Sequence, residues 1–158
     1  MARSPFAFPQ QVHRVLMNSM CENPMAAELS IPSDLAEARR IQNLIEEALQ
    51  ASAYSEHDIF SIKLALEEAL VNAIKHGNQM DPDKRVTVRY QITPQRFEVR
   101  ITDEGEGFNP DDVPDPTAIE NIERPCGRGL LLIRGFMTEV VFHGKGNSVS
   151  MTKIRDGA

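Results

Sequence analysis

A chain of 158 residues, 41% of them hydrophobic, is long enough to bury one sizeable core and fits a single domain. Its formal net charge of −6 and pI near 5.2 argue against a nucleic-acid binder, which needs clustered Lys and Arg to meet phosphates. No run reaches the roughly eighteen apolar residues that span a bilayer, and Cys21 and Cys126, far apart and without metal-ligand spacing, read as reduced thiols of a cytoplasmic protein. The N-terminal stretch from Met1 to Pro9 is broken by prolines and lacks the apolar core of a secretion signal. Val12, Val15, Leu16 and Met20 fall near helical spacing, so residues 1–24 read as an extension with a short amphipathic helix, able to pack on the domain or on a second copy. Residues 25–158 form the domain proper.

Within it, Glu28 to Ile31 reads as a strand ended by Pro32, and Ser33 or Asp34 can cap a helix running through Leu49. A second helix is expected from about His57 to Lys75. Ile59, Ile62, Leu66, Ala69, Leu70, Ala73 and Ile74 give it one buried face. Glu68 and Asn72, four residues apart, then project side by side on the stripe next to that face. A carboxylate there can take a proton from a hydroxyl, and an uncharged amide oxygen is a hard ligand suited to Mg²⁺; the same pair is also ordinary on a solvated helix face. His76 followed by Gly77 reads as a helix C-terminus, with the glycine in the left-handed conformation.

Past a turn at Asp81-Pro82-Asp83, strands from Arg85 to Gln91 and from Phe97 to Thr102 form an antiparallel hairpin through Thr93-Pro94-Gln95. Asp103 stands where the second strand should end. Gly105 and Gly107 follow it and let a flat ring approach the backbone closely. An ionised aspartate beside such a turn accepts a hydrogen bond and cannot donate one, which suits the exocyclic amine of adenine; an Asx turn serving only the bend is the plainer alternative. Downstream, Gly127, Arg128 and Gly129 precede an apolar run read as a helix to Phe136, a plausible phosphate cradle at a helix N-terminus. Strands near Glu139 to His143 and Ser148 to Ile154, turning at Lys145 and Gly146, complete the chain. This order gives an α+β fold, a two-layer sandwich whose mostly antiparallel sheet is covered on one face by helices, with a nucleotide between the layers.

The series Glu68-xxx-Asn72, Asp103-x-Gly105-x-Gly107 and Gly127-Arg128-Gly129-Leu130 resembles the nucleotide-binding boxes of the GHKL ATPases, the group of gyrase, histidine kinases and mismatch-repair ATPases. It looks most like the bacterial anti-sigma factor serine/threonine kinases. Leu66 to Gly77 is similar to that family's helix box almost throughout, and Arg128 to Met137 to its lid-to-helix segment. Together the likeness spans roughly Glu28 to Ile154. The resemblance implies the Bergerat-type ATP-binding fold, with ATP and Mg²⁺ as cofactors. It implies Glu68 as general base, Asn72 as the Mg²⁺ ligand, Asp103 on the adenine amine, and Gly105 and Gly107 shaping the base pocket. It further implies a lid from about Asn109 to Cys126, Gly127, Arg128 and Gly129 at the phosphates, and Ser148 supporting the adenine contact through water.

In that family's scheme the ATP-bound protein holds a sigma factor without touching DNA and phosphorylates an anti-sigma antagonist on serine; homodimers are common there. Two departures stand out. Thr138 follows Met137 where family members commonly carry an acidic residue, and Pro125 stiffens a lid that is usually richer in glycine. Two other functions fit the same motifs: a non-catalytic module in which ATP orders a partner-binding surface, and a histidine-kinase core, for which His13 is only a lone histidine in a short segment.

Overall fold

The computed structural model describes residues 25–107 and 133–157. Alternation of apolar and polar side chains builds the sheet. Along β2 (Arg85–Ile92), Val86, Val88, Tyr90 and Ile92 point inward and are buried. The following β3 (Arg96–Thr102) lies antiparallel to it, with Val88 opposite Ile101, Tyr90 opposite Val99 and Ile92 opposite Phe97. Before them in the chain, β1 (Met25–Pro32) pairs with β2 and places Ile31 opposite Val86. After them, β4 (Glu139–His143) and β5 (Ser148–Ile154) form a second antiparallel pair, and β5 docks on β3 with Val149 opposite Ile101. The result is one sheet in the order β1-β2-β3-β5-β4, every neighbour antiparallel.

Two helices cover the apolar face. In α1 (Leu35–Ala51), Ala38, Ile41, Ile45, Ala48 and Leu49 are buried; in α2 (Glu56–Val71), Ile59, Ile62, Ala65, Leu66, Ala69 and Leu70 are. These side chains and the inward residues of the strands form a single core, each large aliphatic contributing about 1.5–3 kcal/mol on burial. The opposite sheet face carries Arg89, Glu98, Arg100, Ser148 and Ser150, held by contacts such as the Arg89–Glu28 ion pair at 2.8 Å. Asp34 caps α1 by accepting from the Ala36 N–H at 2.8 Å. Ser33 is drawn elsewhere and donates to the Lys84 carbonyl. Ser55 caps α2 by accepting from Asp58 N–H.

The expected layers and strands are present, and two local expectations are corrected. The helix box is not α-helical to Lys75: from Asn72 to Gly77 the chain widens into a π-helical turn, closed by Asn78 N–H to the Ala73 carbonyl at 2.8 Å. Gly77 is not left-handed either, since the described glycines with positive φ are Gly107, Gly144, Gly146 and Gly157. The turn ends at Asn78, which is fully buried and whose amide ties three segments to the end of α2: it donates to Ser33 Oγ and to the Arg85 carbonyl, and accepts from Glu104 N–H. The short helix, of which residues 133–136 are described, follows with Ile133 buried against the core. The N-terminal helix expected within residues 1–24 lies outside the described residues.

Candidate functional site

A cleft of about 240 Å³ opens where the end of α2 faces the edge of β3 and the β4–β5 turn. One stripe of the helix forms its wall: Ala69, Asn72, Ala73, His76 and Gly77, spaced three and four residues apart as one helical face must be. Ile101, Ile133, Phe142 and Val149 make the apolar floor. At its polar end stand Asp103, Gly107 and the turn 146–148. A slot of mainly apolar walls with one carboxylate at its end is the shape that accepts a flat heteroaromatic ring.

Asp103 is held from every side. Its N–H donates to the Asn147 carbonyl at 2.9 Å, and Asn147 Nδ2 returns a bond to the Asp103 carbonyl at 2.8 Å. The Gly105 N–H donates to Oδ1 at 2.8 Å, and among the described residues Oδ2 receives no hydrogen bond. The next residue is fixed as well, for Glu104 N–H is bonded to Asn78 and its carboxylate accepts the Arg85 N–H. One acceptor oxygen of a rigid carboxylate is thus left for a donor entering the cleft. Burial pushes the Asp103 carboxyl above the usual aspartate range, opposed by the Gly105 N–H and by Lys145 and Lys84.

The glycines are required by contact. A Cβ on Gly77 would overlap the Asp103 carboxylate, and a Cβ on Gly105 would overlap the Gly77 carbonyl. The α2 terminus, the carboxylate and the turn therefore interlock at a distance only glycine permits. Gly107, at φ +82°, lies against the Lys145 carbonyl and needs glycine on both counts.

The candidate residues fall into three groups. Asn72, Asp103, Gly107 and Ser148 border the cleft, and Gly105 builds the seat of Asp103. Glu68 is half-buried one helical turn before Asn72, outside the cleft lining. Gly127, Arg128 and Gly129, with the lid expected from Asn109 to Cys126, lie outside the described residues. Ser148 needs a separate remark. It pairs with Thr102 on the face opposite Val149, and its hydroxyl is engaged there by Thr102 Oγ1 at 2.8 Å and Arg100 Nε at 2.9 Å. The side chain that reaches Asp103 from this turn is Asn147.

Comparison with known proteins decides the family. The histidine kinase-like ATPase domain model matches residues 31–153, most of the chain. The protein belongs to this family. The serine-protein kinase RsbW of Listeria monocytogenes is 33% identical over 112 residues, covering 65% of this chain and 69% of that one. Its namesake from Bacillus subtilis is 28% identical over 145 residues, covering 87% and 91%. Among solved structures, that of the RsbU and RsbW domains of Rv1364c from Mycobacterium tuberculosis superposes with a TM-score of 0.56 at 16% identity. It covers 85% of this chain and 32% of the other, which supports the fold alone. The family is one of ATPases, and in this chain the cleft bordered by Asp103 lies between helix and sheet.

Two contributors escaped the sequence reading. Nothing local marks Asn78 as a buried tie to residues 45 positions before and 26 positions after it. Asn147, in the turn before β5, borders the cleft beside Ser148 and holds the Asp103 carbonyl, a role set by the fold of the turn.

Proposed function

We propose that this protein is an ATP-dependent protein serine kinase of the anti-sigma factor type. It would control transcription in the cytoplasm by binding a sigma factor and phosphorylating an anti-sigma antagonist on serine. The observation that carries this reading is the Asp103 carboxylate, locked in a glycine seat at the border of an apolar slot with Oδ2 receiving no hydrogen bond among the described residues. The similarity to serine-protein kinases over most of the chain adds the reaction class.

The residues fit the nucleotide. The adenine amine would donate to Asp103 Oδ2, while Ala73, Ile101 and Val149 sandwich the ring and exclude water. Asn72 borders the cleft one turn before His76, and among the described residues no hydrogen bond engages its carboxamide; its oxygen is of the hard type that Mg²⁺ selects. Mg²⁺, when bound, would supply charge neutralisation at the phosphates. Glu68, one turn nearer the helix N-terminus on the same side, would accept the proton of the attacking serine hydroxyl as the O–P bond forms.

The test combines binding and transfer. The protein should bind ATP in preference to GTP by calorimetry, with Mg²⁺ strengthening the interaction, and should move the γ-phosphate of ATP to a serine-bearing antagonist. Replacing Glu68 with Ala should lower transfer by about 10²–10⁴-fold while ATP affinity stays within about twofold. Undiminished transfer would remove Glu68 as base. Tight ATP binding with no transfer to any antagonist would favour the non-catalytic, partner-holding module.

A further inference from the structure

At the other end of α2, a second polar cluster serves no step of the chemistry above. His57 and Asp58 lie in the first turn of α2, and Asp156 follows β5. Asp58 is fully buried. Its Oδ2 accepts the Asp156 N–H at 2.9 Å, but among the described residues its Oδ1 has no hydrogen-bond partner. That is an expensive atom to leave unsatisfied, since a buried carboxylate oxygen without a donor forfeits its hydration. The nearest cation, Lys153 Nζ, stands 3.9 Å away, too far to donate a hydrogen bond. His57 Nδ1 lies 4.0 Å from the same oxygen and 3.2 Å from Asp156 Oδ2, and the three ligand-type atoms are all within 4.8 Å of one another.

We propose that His57 Nδ1, Asp58 Oδ1 and Asp156 Oδ2 form a binding site for a divalent metal ion of the zinc class. Ligands about 2.0–2.1 Å from a tetrahedral ion stand ~3.3 Å apart, so one pair is already at that spacing and the others close by about 1.5 Å or less. Asp58 and the backbone bond it holds are fixed by the core, whereas His57 and Asp156 are largely exposed side chains free to adjust. One imidazole and two carboxylates suit zinc and its neighbours better than Mg²⁺, which prefers an all-oxygen octahedron. Water completes the fourth position. The ion would take over the role that Lys153 fills at long range, and the flexible lysine stem allows its ammonium to swing out to solvent. Bound there, the metal would clip the segment after β5 to the start of α2, about 22 Å along the helix from Asn72.

The test uses the full chain without nucleotide, which keeps any ion at the ATP cleft out of the measurement. Zn²⁺ should give a saturable calorimetric signal and a concentration-dependent rise in Tm, and Co²⁺ should give visible absorption of a low-symmetry nitrogen and oxygen site. His57→Gln and Asp156→Asn change exposed side chains and leave the core intact. Each should weaken Zn²⁺ at least about tenfold, the loss typical even of residues that only support a metal ligand. No binding by the unaltered protein overturns the proposal. So does either variant binding Zn²⁺ as tightly as the unaltered protein, which would place the ion elsewhere on the chain.

Discussion

The two ends of α2 each hold a carboxylate removed from bulk water, and they treat it in opposite ways. Asp58, in the first turn, is fully buried; a backbone N–H, Lys153 and His57 surround it, and the positive end of the helix dipole adds to them. Asp103, facing the last turn, is half-buried, is seated against glycines with Lys145 and Lys84 acting on it through space, and borders the cleft with Oδ2 receiving no hydrogen bond among the described residues. The first carboxylate joins the start of α2 to the segment after β5, a link that the proposed metal ion would reinforce. The second makes no such link through its Oδ2, which is left for a nucleotide.

Substitution should separate these roles. Removing the Asp58 side chain leaves the Asp156 N–H without its acceptor and Lys153, itself mostly buried, without a counter-charge. Asp58→Ala should therefore cost about 2–4 kcal/mol of stability, read as a shift in the denaturant midpoint, while the ATP affinity of the remaining folded protein stays unchanged. A smaller loss with weakened ATP binding would mean that the two ends are coupled through the helix.

Gly77→Ala acts at the opposite end. Its Cβ would overlap the Asp103 carboxylate, so either the π-helical turn or the Asp103 turn must move. A stability loss of about 1–3 kcal/mol is expected from the overpacking, together with a drop in ATP affinity of roughly tenfold or more, because the displaced group is the one that would meet adenine. If the substitution lowered stability but left ATP affinity intact, the glycine seat would serve the fold only.

The layers of this fold were legible in the sequence because they rest on periodicity. Val86, Val88, Tyr90 and Ile92 announce a strand by themselves, and Ile59, Ile62, Leu66 and Ala69 announce a helix face. At Gly105 and Gly107 the motif marked a close approach to the backbone, expected for a flat ring; in the fold the groups that come close are the Gly77 and Lys145 carbonyls. What was not legible depends on contacts between distant segments. The π-helical turn runs into Asn78, whose bonds tie three separate segments together, and the requirement for Gly77 comes from a carboxylate 26 residues later, not from its own φ. The bonds between Asn147 and Asp103 join residues 44 apart, and the motif alone did not contain them.

A smaller and more selective change sharpens the comparison further. Asp103→Asn can keep the Oδ1 bond to Gly105 N–H while offering an amide where the carboxylate oxygen faced the slot. ATP affinity should fall by about 1–3 kcal/mol, and stability should hold or rise slightly, because the charge whose burial raises the Asp103 pKa is gone. This is the reverse of Asp58→Ala. A variant that lost stability and kept its affinity would make Asp103 a structural residue like its counterpart.

The mildest test changes no residue. Because burial, the leading cause, raises the Asp103 pKa in the folded chain, the free protein binds that proton more tightly than the unfolded chain does. Stability from this group is thus fully present below the unfolded pKa and is lost as pH rises through the folded one. A donor from adenine favours the ionised form, so nucleotide and proton compete. ATP affinity relative to the Asp103→Asn variant should be constant near neutrality and fall by about tenfold per pH unit below the folded pKa, with the break above the ~3.9 of an ordinary aspartate. Taking the ratio to the variant cancels the titration of ATP itself, which both proteins share. A flat ratio through the acid range would show that ATP binding does not depend on the charge of Asp103, and the distinction between a carboxylate that links two segments and one left for a nucleotide would fail at this end of the helix.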